Sequence, residues 1–451
     1  MVDLLLIYPY FNDDFAIFKF PPLGIGYIAS YVRDFGGYSV AIIDSTFMNE
    51  EDVVAKARNL KPRVIGIYSM LTMKASSLSI AKQLRGSTDL IIAGGPLPTA
   101  SPNTFLDEFD LVVLGEGEET VLDILKSLDN GESPLKVEGI CYKDGKNGKL
   151  VLKPCRTPKK NIDEYPFPAR ELFDHKAYME YFRKHHGYTI TSMITSRGCP
   201  FNCDFCSRPI FGTSFRSRSS INIVDEIETI IPYAYDRIWL ADDIFPISKK
   251  FGISVCDEII KRDFDMPWEC LCRADIMNKE IASKMRNAGC YRVFFGLESG
   301  NNNILKVMNK RLTVEQARKA VEVVKSVGIK TGAFFILGYP GESNETMLDT
   351  IRFASSLPLD YLSLTVPYPI PGTGLYEKLK DRLAVDDWKK PLHDPIKHAL
   401  LYRSEFPMYK LKFGIMKTHV QQYVRRYSGF AYSIVGKPFE LLTDYIFKLM
   451  G

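Results

Sequence analysis

Short apolar runs alternate with helical stretches along most of this chain, and this alternation constrains the fold more than any other feature. In the first part of the chain the runs cover residues 4–8, 39–44, 64–68, 89–93 and 110–114. Such runs are typical of buried parallel strands, and the stretches between them are long enough to return as helices. The five units predict an α/β domain with an open, doubly wound sheet. A ligand of such a sheet lies beyond the carboxyl ends of its strands.

A second alternating series begins near residue 188. Its apolar runs cover residues 188–196, 237–241, 268–273, 291–297, 332–338 and 361–368. Six units of this kind predict a partial (β/α)6, TIM-like barrel. The chemistry of such barrels lies on the loops that follow the strands.

Three cysteines, Cys199, Cys203 and Cys206, come directly after the first strand of this second series. Three thiolates can hold three irons of a 4Fe–4S cluster and leave the fourth iron open to a substrate or cofactor. The alternatives are buried structural cysteines and a zinc site. Polar Asp204 in a loop with proline and asparagine disfavours the first. A zinc site needs a fourth ligand, and no histidine or further cysteine follows at the spacing of a zinc finger.

Composition is that of a soluble globular protein with two or three domains. The 451 residues are 46% hydrophobic and 25% charged, and no apolar stretch is long enough to span a bilayer. The chain has nine cysteines, an odd number, and its first apolar run has no basic leader sequence. We therefore expect a cytoplasmic protein, because thiols stay reduced in the cytoplasm. We expect no nucleic-acid partner. The basic excess is confined to the tail, since residues 388–451 hold eleven Lys/Arg and four Asp/Glu.

Three turns of the first series follow predicted strands and carry small or glycine residues. They are Ser69-Met70-Leu71-Thr72, Gly94-Gly95-Pro96 and Gly115-Glu116-Gly117-Glu118. Glycine lets a backbone approach a large ligand closely, although it also serves turn geometry alone. The turns are therefore candidate ligand contacts.

With the cysteines after the first barrel strand, the chain resembles the radical S-adenosylmethionine (SAM) superfamily, and Phe205 matches the aromatic residue before the last cysteine. The glycine turns and Pro21-Pro22-Leu23-Gly24 look like the cobalamin-binding domain of its B12-dependent, methyltransferase-type branch. The barrel motifs of that branch are similar to Arg197-Gly198-Cys199-Pro200, Asp242-Asp243-Ile244-Phe245, Gly296-Leu297-Glu298-Ser299-Gly300, Met308-Asn309-Lys310, Gly338-Tyr339-Pro340-Gly341-Glu342 and Pro369-Ile370-Pro371-Gly372-Thr373.

The resemblance implies a division of the chain into four parts. Residues 1–135 would form a Rossmann-like cobalamin-binding domain, and residues 136–187 a linker. Residues 188–385 would form the radical SAM barrel, and residues 386–451 a helical C-terminal extension. Asp144 to Gly148, with two glycines, predicts a hairpin turn within the linker.

The resemblance also implies three cofactors: a 4Fe–4S cluster, SAM and cobalamin. SAM would serve both as the source of a 5′-deoxyadenosyl radical, which abstracts hydrogen from an unactivated carbon, and as the methyl donor through methylcobalamin. The expected function is C-methylation of a protein or peptide side chain, a natural product or a lipid, with a reductant of the ferredoxin or flavodoxin type. Alternatives are a cyclase or rearrangement enzyme of the same architecture, and a corrinoid-binding or electron-carrying protein without turnover.

Particular residues follow from the same resemblance. Cys199, Cys203 and Cys206 would bind iron, Asp243 the SAM amino group and Arg273 its carboxylate. Other predicted cofactor contacts are Pro22, Leu23, Ser69, Met70, Leu71, Thr72, Gly94, Gly95, Pro96, Gly115, Glu116, Gly117, Glu118, Phe205, Glu298, Gly338 and Pro340. Glu298 would bind the ribose, and Gly338 and Pro340 would line the adenine. Alternatively, Arg273 would only form a surface ion pair with Asp275, and Glu298 would only cap the rim of the barrel. No catalytic base is assigned.

Histidine is absent before His175, which excludes a histidine ligand to cobalt from the first domain. We expect the apolar loop 68–73 to lie over the lower face of the corrin, unless the domain is a vestige that binds no cobalamin.

Two further features have plainer interpretations. Cys270, Cys272 and Cys290 are expected to be packed thiols, with a second cluster as the alternative. The basic, aromatic tail is expected to pack over the barrel mouth. The alternatives are that it docks an acidic protein or lies on a membrane surface.

Overall fold

The computed structural model describes residues 2–10, 18–145, 147–208, 210–383, 402–428, 432–434 and 436–450. The strands of its first sheet are β1 (Val2–Tyr8), β2 (Val40–Asp44), β3 (Pro62–Tyr68), β4 (Leu90–Gly94), β5 (Leu111–Val113), β6 (Ile140–Lys143) and β7 (Leu150–Leu152). The helices of this part are α1 (Leu23–Gly36), α2 (Glu50–Leu60), α3 (Lys74–Leu84), α4 (Pro96–Ala100) and α5 (Glu118–Asp129).

The first sheet has the order β2-β1-β3-β4-β5-β6-β7, and β1 to β5 are parallel. Helices α1 and α5 pack together, as do α2 and α3. Two separate apolar clusters include alternate residues of the same strands, such as Leu4 and Leu5 of β1. Each face of the sheet is therefore covered, as the continuous apolar runs require. The predicted doubly wound sheet is confirmed.

The sheet extends beyond residue 135, where a linker was expected to begin. Strands β6 and β7 continue it in antiparallel order, and the predicted turn from Asp144 to Gly148 joins them. Ile140 and Cys141 are fully buried against the sheet, so this segment contributes to the core. Farther on, α6 (His175–His186) contacts the same domain, because the Tyr178 hydroxyl donates to Asp44 Oδ2 at 2.6 Å.

The strands of the second half are β8 (Ile190–Met193), β9 (Ser196–Arg197), β10 (Arg216–Ser217), β11 (Arg237–Leu240), β12 (Trp268–Cys272), β13 (Cys290–Glu298), β14 (Lys330–Ile336) and β15 (Tyr361–Thr365). Its helices are α7 (Ser220–Ile230), α8 (Lys249–Lys261), α9 (Lys279–Asn287), α10 (Asn302–Val307), α11 (Val314–Ser326), α12 (Asn344–Ser356) and α13 (Gly374–Leu379). The six-stranded parallel sheet has the order β15-β14-β13-β12-β11-β8, with edges at β8 and β15. This is the predicted partial barrel.

Two helices, α14 (Met408–Ser428) and α15 (Gly436–Leu449), complete the described chain. They pack against each other and against α12. Leu411 and Phe447 join an apolar cluster with Leu337 and Ile351 at this side of the barrel. No helix in the described ranges is both long and apolar enough to cross a membrane.

Candidate active site

A cavity of about 540 Å³ lies between the two halves of the protein. One wall is formed by residues at the carboxyl ends of β1, β3, β4 and β5, including Tyr8 and Tyr68. The opposite wall belongs to the barrel and includes Ser192, Arg197 and Trp239. This is the edge at which a doubly wound sheet binds its ligand, and the volume lies in the range of small-molecule sites.

Most residues predicted to contact cobalamin line this first cavity. They are Pro22, Leu23, Met70, Gly94, Gly95, Pro96, Gly115, Glu116, Gly117 and Glu118. Leu71 and Thr72 line a neighbouring cavity instead. The predicted loop 68–73 thus contributes Tyr68 and Met70 to the first cavity, and its role over the lower face of the corrin stays a prediction.

Ser69 lines neither cavity because it is part of the packing behind the loop. It is fully buried, its backbone N–H donates to Gly94 O at 2.8 Å, and Ser77 Oγ lies 2.9 Å from its hydroxyl. Gly95 has a φ of +108°, and a Cβ there would lie 2.7 Å from Ser69 O. Only glycine allows the two turns to approach this closely.

The carboxylates of Glu116 and Glu118 face the barrel. Arg197, next to the cluster loop, donates to Glu116 Oε2 at 2.7 Å and to Glu118 Oε1 at 2.6 Å. Arg216 pairs with the other oxygen of Glu116. Burial alone would lower the pKa of Arg197, but Glu118 and Glu116 raise it overall. Two buried arginines of the barrel are thereby tied to a turn of the first domain, and a charge removed from this group leaves its partner buried without compensation.

The three cysteines that are predicted to bind the cluster share one short loop. Cys199 and Cys203 are buried, and Cys206 is half-buried. Burial raises the pKa of Cys199, and it raises that of Cys206 to about 11. Bound iron would therefore supply the positive charge that keeps these thiols ionised.

The loop suits a cluster better than a single metal ion. Among the described residues, no three Cys, His, Asp or Glu side chains converge on one point as an ion requires. In a cubane each thiolate binds a different iron, so convergence is not needed. Gly198 has a φ of +87°, and a Cβ there would overlap the backbone of Ser214, so the loop begins where only glycine fits.

Arg208 fixes the shape of this loop by crossing it. Its guanidinium donates to the carbonyl oxygens of Cys199, at 3.2 Å, and Phe201, and to Asn202 Oδ1 at 2.7 Å. From the other side, Asn309 donates to Asn202 O at 2.6 Å. The Met308-Asn309-Lys310 motif therefore supports the cluster loop.

Asp242 and Asp243 follow β11 and have different roles. Asp242 is buried and accepts from the backbone N–H of Thr195 at 2.7 Å and Ser196 at 3.0 Å. Burial raises its pKa to about 6. Asp243 is exposed and points into a second cavity. It is the predicted partner of the SAM amino group, and it has the accessibility that this role needs.

The second cavity has a volume of about 420 Å³ and lies beside the cluster loop. Ser207, Arg208 and Asp243 bring polar groups to it, and most of its remaining lining is apolar. It shares a wall with the first cavity. The residues that line both are Met70, Pro96, Ile210 and Phe211.

Arg273 lines neither cavity. It is buried, its Nε and Nη2 atoms each lie 3.0 Å from a carboxylate oxygen of Asp275, and Nη2 also donates to Lys310 O. Its guanidinium carbon lies 3.7 Å from the centre of the Phe201 ring. This geometry gives no support to a contact with the SAM carboxylate. It favours the alternative ion pair, which here positions the cluster loop.

The other predicted SAM contacts also lie outside both cavities. Glu298, with a φ of +66°, accepts from Lys310 Nζ at 2.8 Å. Phe205 packs on Tyr339 with 6.5 Å between ring centres. A Cβ on Gly338 would lie 2.7 Å from Leu411 of α14, and Pro340 follows in the same turn. Their assigned contacts stay predictions.

The sequence did not single out several lining residues. Tyr8, Tyr27, Trp239 and Phe211 face the first cavity, and Tyr368 faces the second. Tyr8 ends β1, and the rule that ligands lie at the carboxyl ends of strands could have identified it. The others depend on how the two halves meet.

Three further cysteines of the barrel are packed thiols. Cys270, Cys272 and Cys290 are buried in the main apolar cluster of the barrel, and the Cys272 thiol donates to Arg273 O at 3.2 Å. The described residues of the C-terminal helices line neither cavity. The expected cover over the barrel mouth is therefore not formed by them, because they pack on α12, and residues 384–401 lie outside the described part.

A doubly wound domain facing a barrel that carries a three-cysteine loop defines a two-cofactor enzyme. Family models agree with both halves. Residues 16–125 match the B12 binding domain, and residues 193–354 match the Radical SAM superfamily.

Curated relatives extend over nearly the whole chain. It is 32% identical to the uncharacterized methyltransferase PH0819 of Pyrococcus horikoshii, over 90% of this chain and 88% of that protein. It is 30% identical to the anaerobic magnesium-protoporphyrin IX monomethyl ester cyclase of Rubrivivax gelatinosus, over 86% of this chain and 72% of that protein. The radical SAM methyltransferase TsrM of Kitasatospora setae, solved with cobalamin and a [4Fe-4S] cluster, has the same fold. Its TM-score is 0.72 at 19% identity, over 88% of this chain and 78% of that one.

The chain belongs to the cobalamin-binding radical SAM family, and the resemblance to its methyltransferase type is confirmed. It is an enzyme, and its cofactors are a 4Fe–4S cluster, SAM and cobalamin.

Proposed function

We propose that this protein is a cobalamin-dependent radical SAM C-methyltransferase that replaces a hydrogen on an unactivated carbon by a methyl group. The bound cofactors supply the radical and the methyl group. The overall reaction consumes two SAM molecules and two electrons. One SAM gives methionine and 5′-deoxyadenosine, which keeps the substrate hydrogen, and the other gives S-adenosylhomocysteine. An external reductant of the ferredoxin or flavodoxin type would supply the electrons.

The observation that carries this proposal is the wall shared by the two cavities. One wall of the first cavity is formed by the B12 binding domain, and the second cavity reaches Asp243 and Arg208 beside the cluster loop. Met70 and Phe211 line both. A substrate held at this wall would lie between the two cofactors, so that one carbon can lose hydrogen on one side and receive a methyl group from the other.

The chain's own contribution would be binding, orientation and exclusion of water. Arg208 and Arg273 hold the cluster loop, Asp243 offers a carboxylate to an ammonium group, and apolar side chains such as Leu97 and Ile370 cover the second cavity. A substrate with an apolar portion fits this lining. The substrate would be a protein or peptide side chain, a natural product or a lipid. Identifying the molecule that binds at the shared wall would distinguish these classes.

The test is the ratio of two products under anaerobic reduction with substrate. Methyl transfer requires S-adenosylhomocysteine and 5′-deoxyadenosine in comparable amounts. Cys203→Ala should lose the visible absorbance of the cluster and all deoxyadenosine. Cys155→Ala removes an exposed thiol and should leave both unchanged. Deoxyadenosine formed by Cys203→Ala would contradict the assignment of the loop.

A second candidate is a ring-forming enzyme of the same architecture. It is favoured by the relative from Rubrivivax gelatinosus, which is named as a cyclase. Such an enzyme would form deoxyadenosine with its substrate but no S-adenosylhomocysteine. That result would replace methyl transfer by cyclisation as the function.

A further inference from the structure

The last two helices expose an unusual number of large apolar side chains. On α14 these are Tyr409, Met416, Val420, Tyr423 and Tyr427, and on α15 they are Phe439, Leu441, Leu442, Tyr445, Ile446 and Leu449. The spacing on α14 is seven, four, three and four residues, which places all five on one narrow face of the helix. We call these eleven residues the tail surface.

The charges on the same two helices are sorted by sign. Among the described residues of these helices, all exposed charged side chains are basic. They are Lys412, Arg426, Lys437 and Lys448. The two acids are turned inward. Glu440 accepts from Arg425 at 2.8 Å, and Asp444 pairs with Lys417 at 2.6 Å. The exposed part of both helices is thus apolar and positively charged.

We propose that the tail surface binds an anionic lipid membrane, with α14 and α15 lying in the plane of the interface. Apolar side chains would enter the boundary between head groups and acyl chains, and the four basic side chains would meet acidic lipid head groups. Tyr423, Tyr427 and Tyr445 suit this position because each has an apolar ring and a polar hydroxyl.

Charge argues against a second copy of the chain as the occupant. In a two-fold dimer the same surface meets itself, which would bring the like charges of Lys412, Arg426 and Lys437 of both copies together. Lys448 differs from these three because its Nζ lies 3.5 Å from Glu345 of α12. A membrane supplies the opposite charge and a broad surface of low polarity. The proposal concerns where the enzyme binds and does not depend on which product it forms.

The test is co-sedimentation of the full-length holoprotein with vesicles. One set is phosphatidylcholine alone, and the other contains phosphatidylglycerol as well. An apolar variant set changes Tyr423, Leu442 and Tyr445 to Ser, and its matched control changes three exposed apolar residues elsewhere, Phe35, Leu152 and Ile221, to Ser. A charge variant changes Lys412, Arg426, Lys437 and Lys448 to Gln, and its control does the same at exposed Lys56, Lys250, Lys279 and Lys319.

We expect binding to the anionic vesicles, a loss of affinity of at least about tenfold in both tail variants, and unchanged binding in both controls. Retained cobalamin would show that the variants fold. Several results would overturn the proposal: no binding by the wild type, equal binding to neutral vesicles, or equal losses in the controls. A dimer that the Ser set dissociates would assign the surface to a second copy. Retention on immobilised polyglutamate without vesicle binding would assign it to an acidic protein.

Discussion

Replacing Arg197 by Met should strongly destabilise the contact between the two halves of the protein. Arg197 joins two carboxylates in a group whose side chains are all less than a tenth exposed. Glu116 keeps Arg216 after the change, but Glu118 loses the partner at 2.6 Å. Breaking a buried ion pair by removing one partner costs about 3–5 kcal/mol. The guanidinium carbon of Arg197 lies 4.4 Å from the centre of the Tyr165 ring. Methionine retains part of this contact, so the loss is mainly electrostatic.

The assay is urea denaturation of the full-length protein, followed by circular dichroism and by tryptophan fluorescence, because Trp239 lines the cavity beside this group. Arg33→Met is the matched control. Arg33 also meets two carboxylates, Asp34 at 2.8 Å and Glu171 at 2.5 Å, but these side chains are about half exposed. Its loss should stay within about 1 kcal/mol.

Adding Glu118→Gln to Arg197→Met removes the uncompensated charge and should restore about 1–3 kcal/mol. Equal losses in Arg197→Met and Arg33→Met would refute the reasoning. So would a double variant that is less stable than Arg197→Met alone.

Two further changes test the loops of the barrel. Gly198→Ala should displace the cluster loop and reduce its iron content, because the φ of +87° and the nearby Ser214 backbone leave no room for a Cβ; Gly212→Ala, with a φ of +63° and open space, should keep the iron. Burial raises the pKa of Glu342 from 4.5 to about 8, so the folded state holds a proton that the unfolded state releases. Wild-type stability should therefore fall relative to Glu342→Gln between pH 4.5 and 8. A constant difference in urea midpoint over this range would contradict the shift.

The sequence predicted the parts of the protein that depend on local pattern. Apolar periodicity gave both sheets, because strand and helix periods are properties of consecutive residues. The spacing of Cys199, Cys203 and Cys206 predicts the cluster loop for the same reason. Most predicted cobalamin contacts also line the first cavity, since the carboxyl ends of parallel strands meet at one edge.

The predictions that the structure corrects or does not support depend mainly on contacts between residues that are far apart in the chain. The end of the first domain was placed too early, because the pairing of β6 with β5 is not visible in the run of residues 136–152. The predicted contact of Arg273 with SAM has no support in the structure, because its guanidinium contacts Asp275, the Lys310 carbonyl and the Phe201 ring. Ser69 is buried behind the turn that it was expected to present.

By itself, therefore, the sequence determined the class of fold and the absence of a histidine from the first domain, and it predicted the cluster loop, because each depends on the identity and spacing of nearby residues. Only the tertiary structure decided which charges meet and which surfaces remain exposed. Glu116 and Glu118 face Arg197 rather than solvent, and Glu440 and Asp444 turn inward while their basic neighbours face out. These contacts depend on packing between segments that are far apart in the chain. The free-energy cost of burying a charge depends on the partner that folding brings to it.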